Sequence, residues 1–219
     1  SRIAEEICRQ FAEKQVISIA GPSSSGKTTF AKRLAIHLQV NGFTTLQISM
    51  DDYFIDRDDI QADENGLQDF EAFEVLNSAL LIERVWQLLS GESIPVREYH
   101  FDSGQGMDNR EEISLKKRDF IILEGIHGLN PKLTTNLANG KLQKIYVSAI
   151  TQLNIDGDHR VSTSGNRLLR RLVRDQKFRG YSPEETLTRW ESVRLGEERN
   201  IFPYQEEADF MFNSALIYE

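Results

Sequence analysis

The stretch that decides the fold of this 219-residue chain lies at residues 21–28 and reads Gly21-Pro22-Ser23-Ser24-Ser25-Gly26-Lys27-Thr28. It fits the pattern G-x-x-x-x-G-K-[S/T] at every fixed position. The β-branched run Val16–Ala20 precedes it and predicts a strand. After it, apolar residues recur at helical spacing until Asn41-Gly42. This order of strand, glycine-rich loop and helix predicts a loop whose backbone N–H groups surround a phosphate.

The fixed positions of this loop each have a physical task toward a nucleotide phosphate. Glycines allow positive φ angles and a close approach of the backbone, and the following helix directs its positive end at the anion. Lys27 would neutralise the β- and γ-phosphates, and the Thr28 hydroxyl would bind Mg²⁺. We expect ATP to be bound by Gly21, Ser23, Ser24, Ser25, Gly26, Lys27, Thr28 and Thr29.

Outside the loop, strand-like and helix-like segments alternate, which predicts a P-loop NTPase-type parallel sheet with helices on both faces. Three further strands are predicted, one that contains Leu46, Ile48 and Met50 and ends at Asp51, one at Phe120–Leu123 and one at Lys144–Ile150. A last strand is expected at Asp209–Phe212.

Further segments surround this predicted sheet. Helices are expected over residues 3–14 and 73–89, and loops over residues 55–69 and 151–166. Residues 95–118 are polar and predict a small excursion off the main sheet. We expect residues 1–219 to form a single P-loop domain. Because the chain starts without Met and stops within an apolar stretch, we expect this domain to be a piece of something longer.

Composition argues against several functional classes. The net charge of −8 argues against a broad nucleic-acid surface, and no apolar run approaches the length of a membrane span. The single cysteine, Cys8, suits a reducing cytoplasm. We therefore expect a cytoplasmic protein that has no nucleic-acid or membrane partner. We also expect a homo-oligomer.

Three absent motifs narrow the class of nucleotide-binding protein. The sequence has no Asn-Lys-x-Asp for guanine, no Leu-Ser-Gly-Gly of transporter ATPases, and no apolar strand that ends in Asp-Glu. Its central strand ends instead in Leu123-Glu124-Gly125. The pattern favours a small-molecule kinase.

Carboxylates follow two of the predicted strands. Ligands of open α/β sheets bind beyond the carboxyl ends of the strands, so Asp51, Asp52 and Glu124 are candidates for the site. We prefer Asp51, the first residue after its strand, as the base that meets the acceptor hydroxyl, and Glu124 as a ligand of Mg²⁺. The structural alternatives are a turn cap for Asp51 and a surface carboxylate for Glu124.

A strongly basic helix is predicted over residues 166–176. Four arginines at spacing i, i+3, i+4 and i+7 share one face, namely Arg167, Arg170, Arg171 and Arg174. Arginines match phosphate oxygens bidentately, so this helix is predicted to be a lid over ATP. A solvated or salt-bridged face and a nucleic-acid patch remain as alternatives.

Four motifs in series resemble the phosphoribulokinase/uridine kinase family. They are the phosphate loop, Met50-Asp51-Asp52-Tyr53-Phe54, Leu123-Glu124-Gly125-Ile126 and the segment Arg167–Gly180. The resemblance runs in order from about residue 15 to residue 212. It implies an ATP- and Mg²⁺-dependent kinase, with a nucleoside as the favoured acceptor.

The resemblance also implies roles for individual residues. Asp51 would be the base, Lys27 and Arg174 would act with it in catalysis, and Glu124 would serve Mg²⁺. The ribose and base would be held by Phe70, Glu71 and Tyr99. Arg171, Arg174 and Arg179 would be lid arginines that reach substrate and phosphates.

Departures from the family pattern concern the acceptor. Glu71 stands where uridine kinases usually carry Asp, and Gly104 occupies the position of a His that reads the pyrimidine. Tyr181 replaces a usual lid Arg, and residues 151–165 resemble an insertion. A sugar-phosphate acceptor, with Arg97 and Arg110 as cationic contacts, is therefore an alternative. A nucleotide-binding regulatory module with little turnover is another.

Overall fold

The computed structural model describes residues 2–61, 69–151 and 161–215. The helices are α1 (Arg2–Arg9), α2 (Lys27–Val40), α3 (Ser78–Leu89), α4 (Pro131–Thr134), α5 (Thr163–Phe178) and α6 (Pro183–Asn200). The strands are β1 (Val16–Ala20), β2 (Thr44–Ser49), β3 (Ile94–His100), β4 (Gln105–Ile113), β5 (Asp119–Glu124), β6 (Leu142–Ser148) and β7 (Phe210–Asn213). Within these ranges, no helix is both long and apolar enough to cross a bilayer.

Five strands form one sheet in the order β2-β5-β1-β6-β7, and every neighbouring pair is parallel. All five residues of β1 are buried, and so are the first five of β5, as expected for central strands that are covered on both faces. The predicted parallel α/β sheet is confirmed.

Side chains of β1 alternate between two hydrophobic cores. Val16 packs into the core that contains the buried face of α3, whereas Ile17 and Ile19 pack into the core beneath α1 and α2. Since successive residues of a strand point to opposite faces, both faces of the sheet carry helices, as predicted.

Strands β3 and β4 pair antiparallel as a separate two-stranded sheet. This hairpin is the excursion predicted around residues 95–118. Asp52 and Asp56 connect it to the loop after β2, because their carboxylates accept hydrogen bonds from the backbone N–H groups of Tyr99 (3.3 Å) and Gly106 (3.1 Å). The hairpin is thereby placed beside the carboxyl end of the main sheet.

Several boundaries differ from the predicted ones. Helix α1 ends at Arg9 rather than at residue 14, because turns follow it. Strand β2 ends at Ser49 rather than Asp51, since the Ser49 hydroxyl accepts a hydrogen bond from the Asp51 N–H and begins a 3₁₀ turn over Met50–Tyr53. Strand β6 begins and ends two residues before the predicted strand.

Two helices also begin elsewhere than predicted. The side chain of Asn77 caps α3, so that helix begins at Ser78 and not at residue 73. Ser162 caps α5, which begins at Thr163, within the predicted loop. Most of the predicted insertion, residues 152–160, lies outside the described residues.

Candidate active site

The phosphate loop joins β1 to α2 in a conformation that forms a polar cradle. Ser24 and Gly26 both have positive φ angles, +58° and +88°. The hydroxyl oxygens of Ser24 and Ser25 are buried without a hydrogen-bond partner in the part of the chain that the structure describes. A Cβ atom at Gly21 would overlap the carbonyl oxygen of Val147, so this position requires glycine. Buried polar atoms normally have partners, and a bound phosphate would supply them.

Lys27 lies inside this cradle. Its ammonium donates hydrogen bonds to the carbonyl oxygens of Gly21 (2.9 Å) and Pro22 (3.3 Å). Burial lowers the pKa of Lys27, whereas the nearby carboxylates of Glu124 and Asp51 raise it. The ammonium is thus positioned between the loop and two acidic side chains, where an anionic ligand would be bound.

Thr28 and Glu124 face each other across the end of the sheet. The Thr28 hydroxyl donates a hydrogen bond of 2.7 Å to Glu124 Oε1. Both are hard oxygen donors, and Mg²⁺ in kinases is held by a few such oxygens together with substrate phosphates and water. The donor set therefore fits Mg²⁺.

Gly125 lets the ends of β5 and β2 come close together. A Cβ atom at Gly125 would lie 2.6 Å from the Cβ atom of Met50. Because Asp51 follows Met50 and Glu124 precedes Gly125, this contact brings the two carboxylates to one edge of the sheet.

The two neighbouring aspartates have different surroundings. The Asp52 carboxylate accepts a hydrogen bond from the backbone N–H of Tyr99, and burial raises the pKa of Asp52. The Asp51 carboxylate instead lies close enough to Lys27 and Glu71 to raise the pKa of each. Asp52 therefore anchors the hairpin, while Asp51 lies among the groups of the site.

Phe70, Glu71 and Tyr99, the three residues predicted to hold the acceptor, lie in different parts of the structure. Burial raises the pKa of Glu71 to about 7, and the guanidinium of Arg171 opposes this shift. Tyr99 is buried, and its ring contacts the rings of Phe54 and Phe101 at centroid distances of 5.8 and 5.1 Å. Phe70, in contrast, is 47% exposed. The structure groups Glu71 with the phosphate loop and Tyr99 with the hairpin.

The predicted lid arginines converge on the site from α5. The Arg171 guanidinium donates a hydrogen bond of 2.8 Å to the hydroxyl of Ser23, and Arg174 lies near Lys27. Arg179 lies over the ring of Phe101, 5.4 Å from its centroid. Arg171 is buried, so the alternative of a solvated face does not hold for it, whereas the alternative of a salt-bridged face does, because its Nε lies 3.2 Å from Asp175 Oδ2.

Asp175 is a residue of this site that the sequence analysis missed. Its buried carboxylate lies 3.2 Å from Arg171, 2.8 Å from Arg174 and 4.0 Å from Arg179. The available signal was its spacing, because Asp175 is the one acidic residue within the basic segment 167–179 and lies four positions from both Arg171 and Arg179. A carboxylate at this spacing orients helix neighbours on both sides.

His127 lies just beyond Glu124 and is buried against Ala72 and Phe73. Its Nε2 lies 3.1 Å from the carbonyl oxygen of Ala72, and its ring packs edge-on against Phe73. Burial lowers the pKa of His127 to about 4. This histidine is therefore neutral at physiological pH and donates from Nε2.

We expect His127 to make the protein less stable in acid. The unfolded chain takes up this proton near pH 6.5 and the folded chain only near pH 4, so the free energy of unfolding falls as pH falls from about 6.5 to about 4. Urea unfolding at pH 7.0 and 4.5 should show a decrease about 2 kcal/mol larger in the wild type than in His127→Gln. The exposed His37→Gln is the matched control. Equal decreases in the wild type and His127→Gln would contradict this assignment.

Comparison with known proteins identifies the family of this chain. The sequence profile of the Phosphoribulokinase / Uridine kinase family matches residues 16–216. A uridine kinase of Staphylococcus aureus is 30% identical over 197 residues, which cover 90% of this chain and 86% of that protein.

Solved structures show the same fold. A D-glycerate 3-kinase from Cryptococcus neoformans has a TM-score of 0.60 at 14% identity and covers 95% of this chain and 89% of its own. A structure described as a "Possible Uridine Kinase" from Bacillus stearothermophilus has a TM-score of 0.58 at 17% identity and covers 96% and 97%. The chain, a P-loop kinase of small molecules, belongs to the phosphoribulokinase/uridine kinase family.

Proposed function

We propose that this protein transfers the γ-phosphoryl group of ATP, with Mg²⁺, to a hydroxyl group of a small molecule. One observation carries the proposal: Lys27, the Thr28–Glu124 pair and Asp51 meet at the carboxyl edge of a parallel sheet, beside a polar cradle. Phosphoryl transfer depends mainly on positioning and on the stabilisation of charge, and this edge offers both.

Each group has a proposed task. The cradle and Lys27 bind the phosphates, and the Asp51 carboxylate orients the acceptor hydroxyl and accepts its proton. Mg²⁺ bound by Thr28 and Glu124 would neutralise charge on the phosphate oxygens. Arg174 compensates charge that develops on the transferred group.

A nucleoside is the first candidate for the acceptor. The relative of 30% identity is a uridine kinase. Glu71 lies close to Asp51, and Tyr99 lies on the hairpin with Phe54 and Phe101 packed beside it. A carboxylate that binds sugar hydroxyls, together with aromatic rings, suits a ribose that carries a planar base.

An acceptor other than a pyrimidine nucleoside is favoured by the surroundings of Gly104. This residue has a φ angle of +73°, and its carbonyl accepts a hydrogen bond of 2.8 Å from the Arg57 N–H. A Cβ atom at Gly104 would lie only 2.7 Å from the Cβ atom of Arg57. A side chain at position 104 would therefore collide with the Arg57 side chain, so this backbone does not accommodate the histidine of the family pattern.

Arg97 and Arg110, the cationic contacts expected for a sugar phosphate, both lie on the β3–β4 hairpin. Arg97 pairs with Asp108 at 3.2 Å within the hairpin, and Arg110 is exposed on β4. Arg57 and Arg179 are instead the cationic side chains beside Phe101, because Arg57 also donates to its carbonyl oxygen. Cationic side chains at this place would suit an acceptor that carries negative charge, such as a sugar phosphate.

We expect uridine and cytidine to be poor acceptors, since a site without a base-reading partner loses orders of magnitude in discrimination. A screen of ATP consumption against nucleosides, sugars, sugar phosphates and small hydroxy acids should find an alcohol that exceeds both. A kcat/KM for uridine of about 10⁵ M⁻¹s⁻¹, an ordinary value for an enzyme, would contradict this expectation. Binding of Mg·ATP without turnover of any acceptor would favour the regulatory module.

A further inference from the structure

A buried ion pair lies behind the phosphate loop and has no part in the proposed chemical step. Arg167 on α5 and Glu197 on α6 form two parallel hydrogen bonds of 2.5 and 2.6 Å. Their side chains are only 3% and 0% exposed. Burying two charges is costly, and a buried pair is by itself weak evidence for stability. The role of this pair must therefore be sought in its contacts to other residues.

Both partners also bind the backbone of Ser23. The Ser23 N–H donates a hydrogen bond of 2.9 Å to Glu197 Oε1, and the Ser23 carbonyl accepts one of 3.1 Å from Arg167. The two polar groups of one loop residue are thus held by two different helices. Arg171 holds the side chain of the same residue, as described above.

Ser23 is followed directly by the part of the loop with unusual backbone geometry. Ser24 has a φ angle of +58°, a conformation that non-glycine residues rarely adopt and that persists only when its surroundings impose it. Fixing the N–H and the carbonyl of Ser23 fixes the peptide that leads into Ser24. The ion pair therefore holds the backbone directly before this unusual conformation.

We propose that Arg167 and Glu197 are positioning residues that hold the phosphate loop in its nucleotide-binding form. This inference rests on the proposed role of the loop in binding ATP. It predicts that the pair acts on nucleotide affinity through Ser23, without contact to the nucleotide. It also assigns α6 a role in the binding of ATP, although Glu197 follows Ser23 by 174 positions in the sequence.

The first test replaces one partner. In Glu197→Gln, Arg167 loses its counter-charge and the Ser23 N–H loses a charged acceptor, so the dissociation constant of Mg·ATP should rise about tenfold or more in calorimetry without acceptor. Glu198→Gln is the matched control, because Glu198 pairs with Arg194 at 3.2 Å on the same helix and both side chains are half-exposed. Glu198→Gln should bind Mg·ATP as the wild type does.

The second test separates positioning from simple stabilisation. In the double variant Arg167→Met with Glu197→Leu, apolar side chains replace the buried charges, an exchange that often preserves or improves stability. This variant should fold and melt near the wild-type temperature, yet bind Mg·ATP at least tenfold more weakly. A folded double variant with wild-type affinity would overturn the proposal, because the pair would then be only structural.

Lys27→Ala in the same assay distinguishes a failure of the proposed function from a failure of the positioning role alone. If Lys27→Ala binds Mg·ATP as the wild type does, the proposed function fails. If Lys27→Ala loses affinity and the folded double variant retains it, only the positioning role fails. If the charge-removing variants do not fold, hydrogen exchange at the Ser23 amide of the wild type decides: slow exchange supports the proposal and unprotected exchange overturns it.

Discussion

Asp51→Asn is expected to reduce phosphoryl transfer by about 100-fold or more while Mg·ATP still binds, because a positioned general base contributes about two to four decades. The amide keeps the size of the side chain but cannot accept the proton of the acceptor hydroxyl. Single-turnover kinetics, together with calorimetric binding of Mg·ATP, measure the two effects separately.

Asp52→Asn is the matched control for this substitution. An asparagine at position 52 retains an oxygen that accepts the hydrogen bond from the Tyr99 N–H, so the hairpin stays anchored and the loss of rate should be much smaller. The reverse ranking of the two variants would show that Asp52 is the base.

Lys27→Ala is expected to weaken Mg·ATP binding, or to lower turnover, by about 10- to 100-fold. The ammonium now donates to loop carbonyl groups, and it would exchange these for phosphate oxygens, to which charge-assisted hydrogen bonds are stronger. Calorimetry and steady-state kinetics measure the loss.

Lys32→Ala provides the comparison, since Lys32 is exposed on the same helix. It should bind and turn over ATP as the wild type does. Unchanged binding and turnover in a folded Lys27→Ala protein would contradict the assignment of the phosphate loop.

The parts of the structure that follow from local pattern were predictable from the sequence. The spacing of the phosphate loop, the apolar run of β5 and the periodicity of α2 depend on residues close together in the chain, and they predicted the parallel sheet correctly. Boundaries were less well predicted where a side-chain cap decides them, as Ser49 and Asn77 do for β2 and α3.

Contacts between distant segments could not be predicted. The arginines of α5 formed a recognisable pattern, but nothing in it shows that Arg167 binds Ser23, 144 positions earlier, or that Glu197 pairs with it. The sequence marked Gly104 as unusual without revealing that Arg57 fills the space beside it. It placed Asp51 and Asp52 side by side at one strand end, and the hydrogen bond from Tyr99 to Asp52 and the proximity of Asp51 to Lys27 appear only in the structure.

The separate β3–β4 hairpin has a consequence for how such a kinase can diversify. Its strands pair with each other and not with the central sheet, and short contacts such as those of Asp52 and Asp56 join it to the body. Although Ile94 of β3 is buried in the main core, most residues of β4 are exposed, so they can change while the ATP-binding half keeps its packing. We expect that exchanging the hairpin between relatives at these anchor points would transfer the preference for the acceptor. Substitutions in this hairpin could change the preferred alcohol during evolution in the same way.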